Sequence, residues 1–92
     1  MIKSFADKKT EELYCGKFVK QFSSFREKVE RKLLIIDCAN HLEDLRNPPG
    51  NKLEILRGDR KGCYSIRINE QWRVCFRWVN NNAYDVEIVD YH

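Results

Sequence analysis

The apolar residues of this chain change their spacing once, at Gly50. Ahead of it, Phe25, Val29, Leu33 and Ile36 recur every three or four residues, which draws one apolar stripe on a helix over residues 24–38. Beyond it the period falls to two. Tyr64, Ile66 and Ile68 alternate with Cys63, Ser65 and Arg67; Trp72, Val74, Phe76 and Trp78 with Arg73, Cys75 and Arg77; Tyr84, Val86 and Ile88 with Asp85, Glu87 and Val89. Such alternation marks half-buried antiparallel strands, with one face on a core and one in water. Leu53-Glu54-Ile55 is expected as a shorter strand before them, and residues 7–15 as a short first helix. The expected fold class is therefore α+β: two N-terminal helices packed on a mainly antiparallel β-sheet.

Local signals punctuate this pattern. Ser24-Phe25-Arg26-Glu27 has the form of a capping box opening the long helix. Asn40-His41-Leu42-Glu43 resembles a second cap, opening a helical turn around 41–45, with His41 solvated in it. Asn47-Pro48-Pro49-Gly50 ends the helical part, since neither proline donates an amide hydrogen and glycine tolerates positive φ. Residues 2–5 alternate weakly, as a short first strand would. A three-residue turn at 69–71 sets Ile68 opposite Trp72, Ile66 opposite Val74 and Arg67 opposite Arg73; a two-residue turn would scramble the faces. A five-residue loop at 79–83 sets Phe76 opposite Val86, Val74 opposite Ile88 and Arg73 opposite Val89, with Tyr91 diagonal to Arg73. One face of the sheet is then apolar and takes the helices; the other carries Arg67, Arg73, Arg77 and the end of the last strand.

Length and composition exclude several classes. The 92 residues, without repeat or linker, are expected to form a single domain, 1–92. Mean hydropathy is -0.64, and no apolar run approaches the roughly 18–20 residues that cross a bilayer, so no membrane partner is expected. Met1 to Phe5 lack the apolar stretch of an export signal, which points to the cytoplasm. The four cysteines (15, 38, 63, 75) include no CxxC pair and only two histidines accompany them. Neither a zinc site, nor another metal or cofactor, nor a disulfide framework is expected; reduced thiols packed as small apolar groups are.

The net charge of +3 is modest, but its distribution is uneven. The window from Lys52 to Arg77 holds seven basic residues (Lys52, Arg57, Arg60, Lys61, Arg67, Arg73, Arg77) against Glu54, Asp59 and Glu70, a net +4, and the remaining 66 residues sum to −1. Five of the seven are arginine, whose planar fork suits phosphate. Like charges opposite each other across strands cost stability. A sheet tolerates Arg67 against Arg73 more readily when an anion binds there; the alternatives are splaying into water or pairing with Asp85 and Glu87.

The block KLEILRGDRKGCYSIRINEQWRVCFRW, the terminal VEIVDYH, the opening MIKSF and the stretch KLLIIDCANHLEDLRNPPGN are together similar to the HigB branch of the RelE/ParE toxin superfamily. The resemblance covers nearly the whole chain and rests on the combination GDR-x-G, S-I-R, QWR-[VI]-x-F and DYH. It implies a RelE-like fold and a small ribonuclease that enters the ribosomal A site and cuts the mRNA being translated. It also implies a HigA-like helix-turn-helix antitoxin as partner, with operator DNA contacted only through that antitoxin. The family's functional positions map onto Glu54, Arg73, Asp90, Tyr91 and His92, with Arg57 and the neighbouring basic residues Lys52, Arg60, Lys61, Arg67 and Arg77 as RNA or ribosome contacts. A form of the family pattern has histidine where this chain has Glu54. Either Glu54 serves as base in its place, or the C-terminal trio supplies the proton chemistry.

The chemistry of RNA cleavage gives these residue types meaning. RNA carries its own nucleophile, the 2′-hydroxyl. A metal-free ribonuclease needs a base for that proton, an acid for the 5′-oxygen and cations on the phosphate, and leaves a 2′,3′-cyclic phosphate. His92, with an ordinary pKa of about 6.5, suits the acid; as last residue it carries an α-carboxylate that favours the imidazolium. Its alternative is a frayed tail. Glu54 suits the base, or is an exposed strand carboxylate. Asp90 orients Tyr91, His92 or a ribose hydroxyl, or is merely solvated or salt-bridged at the strand end. Tyr91 stacks on a base, bonds a phosphate, or packs on the sheet. Arg73, in the sheet interior, is the expected phosphate clamp. Two other functions remain open: a non-catalytic ParE-like toxin, and an inactive antitoxin-binding or co-repressor module. A titratable histidine at the terminus favours the nuclease.

Overall fold

A computed structural model describes residues 1–57 and 62–90. Helix α1 is Lys8–Tyr14, and α2 is Arg26–Cys38. The sheet has strands β1 (Glu54–Ile55), β2 (Cys63–Arg67), β3 (Trp72–Val79) and β4 (Asn82–Asp90), in that spatial order and antiparallel throughout. Short 3₁₀ turns at Lys20–Phe25, Leu42–Arg46 and Pro49–Asn51 lead into and out of α2. The expected α+β class is the observed one.

The core lies between the helices and one face of the sheet. Val29, Leu33 and Ile36 of α2 and Leu13 of α1 are buried against Ile66, Val74, Phe76, Val86 and Ile88, so the two apolar periods meet. Phe25, at the head of the helical stripe, is only half-buried; it stacks on Trp72 at 5.8 Å, with Phe22 edge-on to both.

Both expected caps differ in detail. Ser24 does not cap α2, because a 3₁₀ turn runs through it to Phe25 and places the helix start one residue later, with no side-chain cap. At the second site His41 is the N-cap residue, and Asp44, not Glu43, reaches back: one carboxylate oxygen accepts the His41 and Asn40 amides, each at 3.0 Å. Those two bonds, His41 first, hold the Asp44 carboxyl below its usual range.

The β2–β3 register is the expected one, with Arg67 opposite Arg73 and Ile66 opposite Val74. The β3–β4 connection is not a five-residue loop. It is a two-residue turn, Asn80-Asn81, with both φ angles positive (50° and 62°), the geometry that matches the twist of a tight hairpin. A bulge then places Asp85 and Val86 against Phe76, with Asp85 at φ 53°. The extra residue restores Val74 opposite Ile88 and Arg73 opposite Val89.

The outer edge of β4 is covered. Ile2 and Phe5 bridge to Ala83 and Val86 in parallel, in place of a regular first strand, and the Asp85 amide donates to Ser4 Oγ. Farther along, the Ile88 amide donates to the buried Thr10 Oγ1 of α1 at 3.1 Å. Asp37 in α2 accepts the Ile2 amide at 2.8 Å and the Tyr14 hydroxyl; burial first, then Asp37, pushes the Tyr14 phenol up to about 12.

The cysteines differ from expectation: Cys75 alone is buried, Cys63 is half-buried, and Cys15 and Cys38 are exposed near helix ends that the core does not reach. Among the described residues no helix is long and apolar enough to cross a membrane.

Candidate active site on the open sheet face

Alternation along β1, β2 and β3 puts Glu54, Ser65, Arg67, Arg73 and Arg77 on the face away from the helices. The central member, Arg73, is only 7% exposed. Its Nε donates to Ser65 Oγ at 2.8 Å, and its Nη2 donates to the Ser65 carbonyl at 3.2 Å and to the Lys52 carbonyl. Lys52, two residues before β1, is in the left-handed region (φ 45°), and its carbonyl accepts from Arg73. Nη1 lies 4.0 Å from Oε1 of Glu54, whose side chain is 47% exposed. A permanently charged, planar group is thus locked by neutral acceptors and directed at an accessible carboxylate.

The loop before β1 is tied to the helix layer. Asn51 is fully buried; its Nδ2 donates to the Leu45 and Asn47 carbonyls at 3.1 and 3.0 Å, and its Oδ1 accepts from Lys32 Nζ of α2. Burial, then the neighbouring Arg31 and Lys28 charges, lowers the Lys32 pKa from its ordinary value.

The other arginines are more committed than their spacing suggests. Arg77 is paired with Asp85 at 3.2 Å and lies 5.0 Å from the centroid of the Tyr84 ring. Arg67, half-buried, donates from Nε to the Asn69 carbonyl at 3.1 Å. Lys52 and Arg57 are exposed on either side of β1. Asp90 is exposed at the end of β4 and accepts from Gln71 Nε2 at 2.9 Å; its pairing with Trp72 puts its Cβ on the helix side, one face over from Arg73. Arg60, Lys61, Tyr91 and His92 lie outside the described residues. Among the described residues no three His, Cys, Asp or Glu side chains gather as a metal site.

Ser65 was not singled out by the sequence. It reads there as the polar half of an alternating strand. The Arg67–Arg73 register was the available signal, since it sets Ser65 diagonal to Arg73, within reach of a long side chain.

A family model described as the RelE-like toxin of type II toxin-antitoxin system HigB matches residues 3–92. The chain belongs to the HigB-like toxin family. Among its relatives, Toxin HigB-1 of Vibrio cholerae serotype O1 is 49% identical over 61 residues, which are 66% of this chain and 64% of that one. Endoribonuclease HigB of Proteus vulgaris is 36% identical over 66 residues, 72% of this chain and 71% of that one. The aligned segment thus spans a little under two-thirds of the Vibrio toxin's length. Among solved structures, YoeB in the YoeB-YefM complex from Staphylococcus aureus superposes with TM-score 0.57 at 21% identity, covering 100% of this chain and 98% of that one; a YoeB dimer from the same organism gives 0.56, covering 99% and 97%. That likeness establishes the fold.

Proposed function

We propose that this chain is a single-domain endoribonuclease toxin that cuts mRNA in the ribosomal A site, in the cytoplasm, without a metal ion. We further propose that a HigA-like helix-turn-helix antitoxin restrains it, operator DNA being contacted only through that partner. The observation carrying the catalytic part is the buried Arg73 guanidinium directed at the exposed Glu54 carboxylate. A relative named Endoribonuclease HigB supports the same chemistry.

In this scheme Glu54 takes the proton from a ribose 2′-hydroxyl. The oxygen attacks the adjacent phosphorus, the bond to the 5′-oxygen breaks, and a 2′,3′-cyclic phosphate remains. His92 gives its proton to the departing 5′-oxygen, with Asp90 and Tyr91 orienting it or the RNA. Arg73 has two nitrogens engaged by Ser65 and Lys52, so its part is to fix Glu54 and to lend positive charge through Nη1 beside the phosphate. Lys52, Arg57, Arg60, Lys61, Arg67 and Arg77 supply salt-sensitive attraction to RNA and ribosome.

The test is to map mRNA ends on translating ribosomes after adding the toxin. Cuts inside A-site codons ending in 2′,3′-cyclic phosphate are expected. Growth arrest without cleavage would replace the proposal with a binding toxin; 5′-phosphate products would refute the 2′-hydroxyl route.

A further inference from the structure

Beside Glu54, where the sheet edge meets the helix layer, is a groove of about 430 Å³. Its lining is mixed: Leu42, Leu53, Ile55 and the half-buried ring of Tyr64, which packs 6.3 Å from Phe76, give apolar surface, and Glu43, Arg46, Glu54 and Arg57 give charged edges. Ile55 is 63% exposed, unusual for an isoleucine on a strand. Both walls are pre-formed. The Leu42–Arg46 turn is held by Asp44, which accepts the Asn40 and His41 amides just ahead of it, and by buried Asn51, which donates to the Leu45 carbonyl; β1 is held by Arg73 through Lys52.

Among the described residues, the charges in the lining cancel. Arg46 and Arg57 are balanced by Glu43 and Glu54, and Arg46 is paired with Glu43 at 2.9 Å at the exposed mouth. A phosphate needs net positive charge, and an acidic peptide needs it more. A flat, neutral group with donors and acceptors around its edge fits: apolar walls contact its faces, and a carboxylate–guanidinium pair offers both an acceptor and donors to its edge.

We propose that this groove holds a nucleobase of the RNA strand next to the ribose whose 2′-hydroxyl Glu54 deprotonates, making Ile55 and Arg46 determinants of which sequence is cut. The inference rests on the endonuclease proposal above, because Glu54 is shared between the groove and the reacting bond. RNA passing over the open face at Glu54 need only turn one nucleotide around the two-residue edge strand to enter it.

The experiment measures cleavage on translating ribosomes by the full chain and by Ile55→Ala and Arg46→Ser, with cut sites mapped to the nucleotide. Both positions are exposed, so the fold survives, which circular dichroism verifies. Wild type is expected to show a base preference at one position flanking the cut. Both variants should flatten that preference and raise KM about tenfold, within the range that loss of one stacked base gives, while kcat stays near wild type. Unchanged preference and KM in the variants, with wild type cutting normally, would overturn the groove assignment and leave the endonuclease proposal standing. Loss of antitoxin affinity with unchanged cleavage would equally overturn it and mark the groove as a protein interface. No cleavage by wild type would refute the endonuclease proposal itself, and this inference with it.

Discussion

Ser65→Ala removes a single oxygen from the buried side of the candidate site. Ser65 is fully buried, and its Oγ accepts the Arg73 Nε hydrogen at 2.8 Å. Arginine stays protonated, so the variant leaves a charged donor unpaired where water cannot replace the hydroxyl. Hydrogen bonds to charged groups are worth roughly 1.5–3 kcal/mol, and we take about 2 kcal/mol as the expected loss. With a urea m-value of about 1 kcal/mol/M, the unfolding midpoint falls by about 2 M. Thermal unfolding should move down by about 10 °C. The same substitution in an Arg73→Met background should cost under about 0.5 kcal/mol, because the partner is already gone. Cleavage should fall too, since the guanidinium that fixes Glu54 loses one of its anchors. A loss below about 0.5 kcal/mol when Arg73 is retained, matching an ordinary surface change, would refute the argument that Ser65 anchors this charge.

Glu54→Gln should leave stability within about 0.5 kcal/mol, because the side chain is half exposed, while cutting cleavage sharply; an unchanged rate in the ribosome assay transfers the base to another group. His92→Ala should abolish growth arrest without altering the circular dichroism spectrum, and undiminished arrest would remove the acid role. Thr10→Val leaves the Ile88 amide without its acceptor and should destabilise by about 1–3 kcal/mol in urea unfolding, whereas Thr10→Ser should be much milder. Tyr14, whose folded pKa is raised from 10.0 to about 12, favours the folded state fully below pH 10 and loses that contribution as pH rises from 10 to 12. Wild type should therefore lose stability across that window relative to Tyr14→Phe, and parallel alkaline curves would contradict the burial and the Asp37 contact that together raise this pKa.

What the sequence revealed follows from which interactions are periodic. The stripe Val29, Leu33, Ile36 and the alternation Ile66, Val74, Phe76, Ile88 are repeated signals, so helix, sheet and core are all legible in the residue spacing. The Arg67–Arg73 register was legible because a wrong turn length would have set arginines on the same face as the apolar residues. The Asn80-Asn81 turn was missed for a local reason: three consecutive asparagines read as a loop, and the bulge at Asp85 hides the two-residue turn by restoring the register beyond it. Ser24 and Glu27 fit a capping box by type, but the 3₁₀ turn through Phe25 was the winning geometry. Contacts such as Thr10 to Ile88, 78 residues apart, leave no trace in spacing at all.

The candidate site combines both kinds of information. Glu54 and Arg73 were named from sequence, but their relation depends on Lys52 adopting a left-handed backbone and on Asn51 anchoring the loop that carries it. The bonds that place Glu54 are therefore the bonds that hold β1 to the sheet. No substitution of Arg73 can separate chemistry from stability, since removing it frees the Lys52 and Ser65 acceptors and releases the carboxylate together. Glu54 is the position where the two part: its own carboxylate hangs outward at the sheet edge, and nothing in the core leans on it. Stability loss shared by Arg73 and Ser65 variants but absent from Glu54 variants, with cleavage lost in all three, is the pattern this arrangement requires.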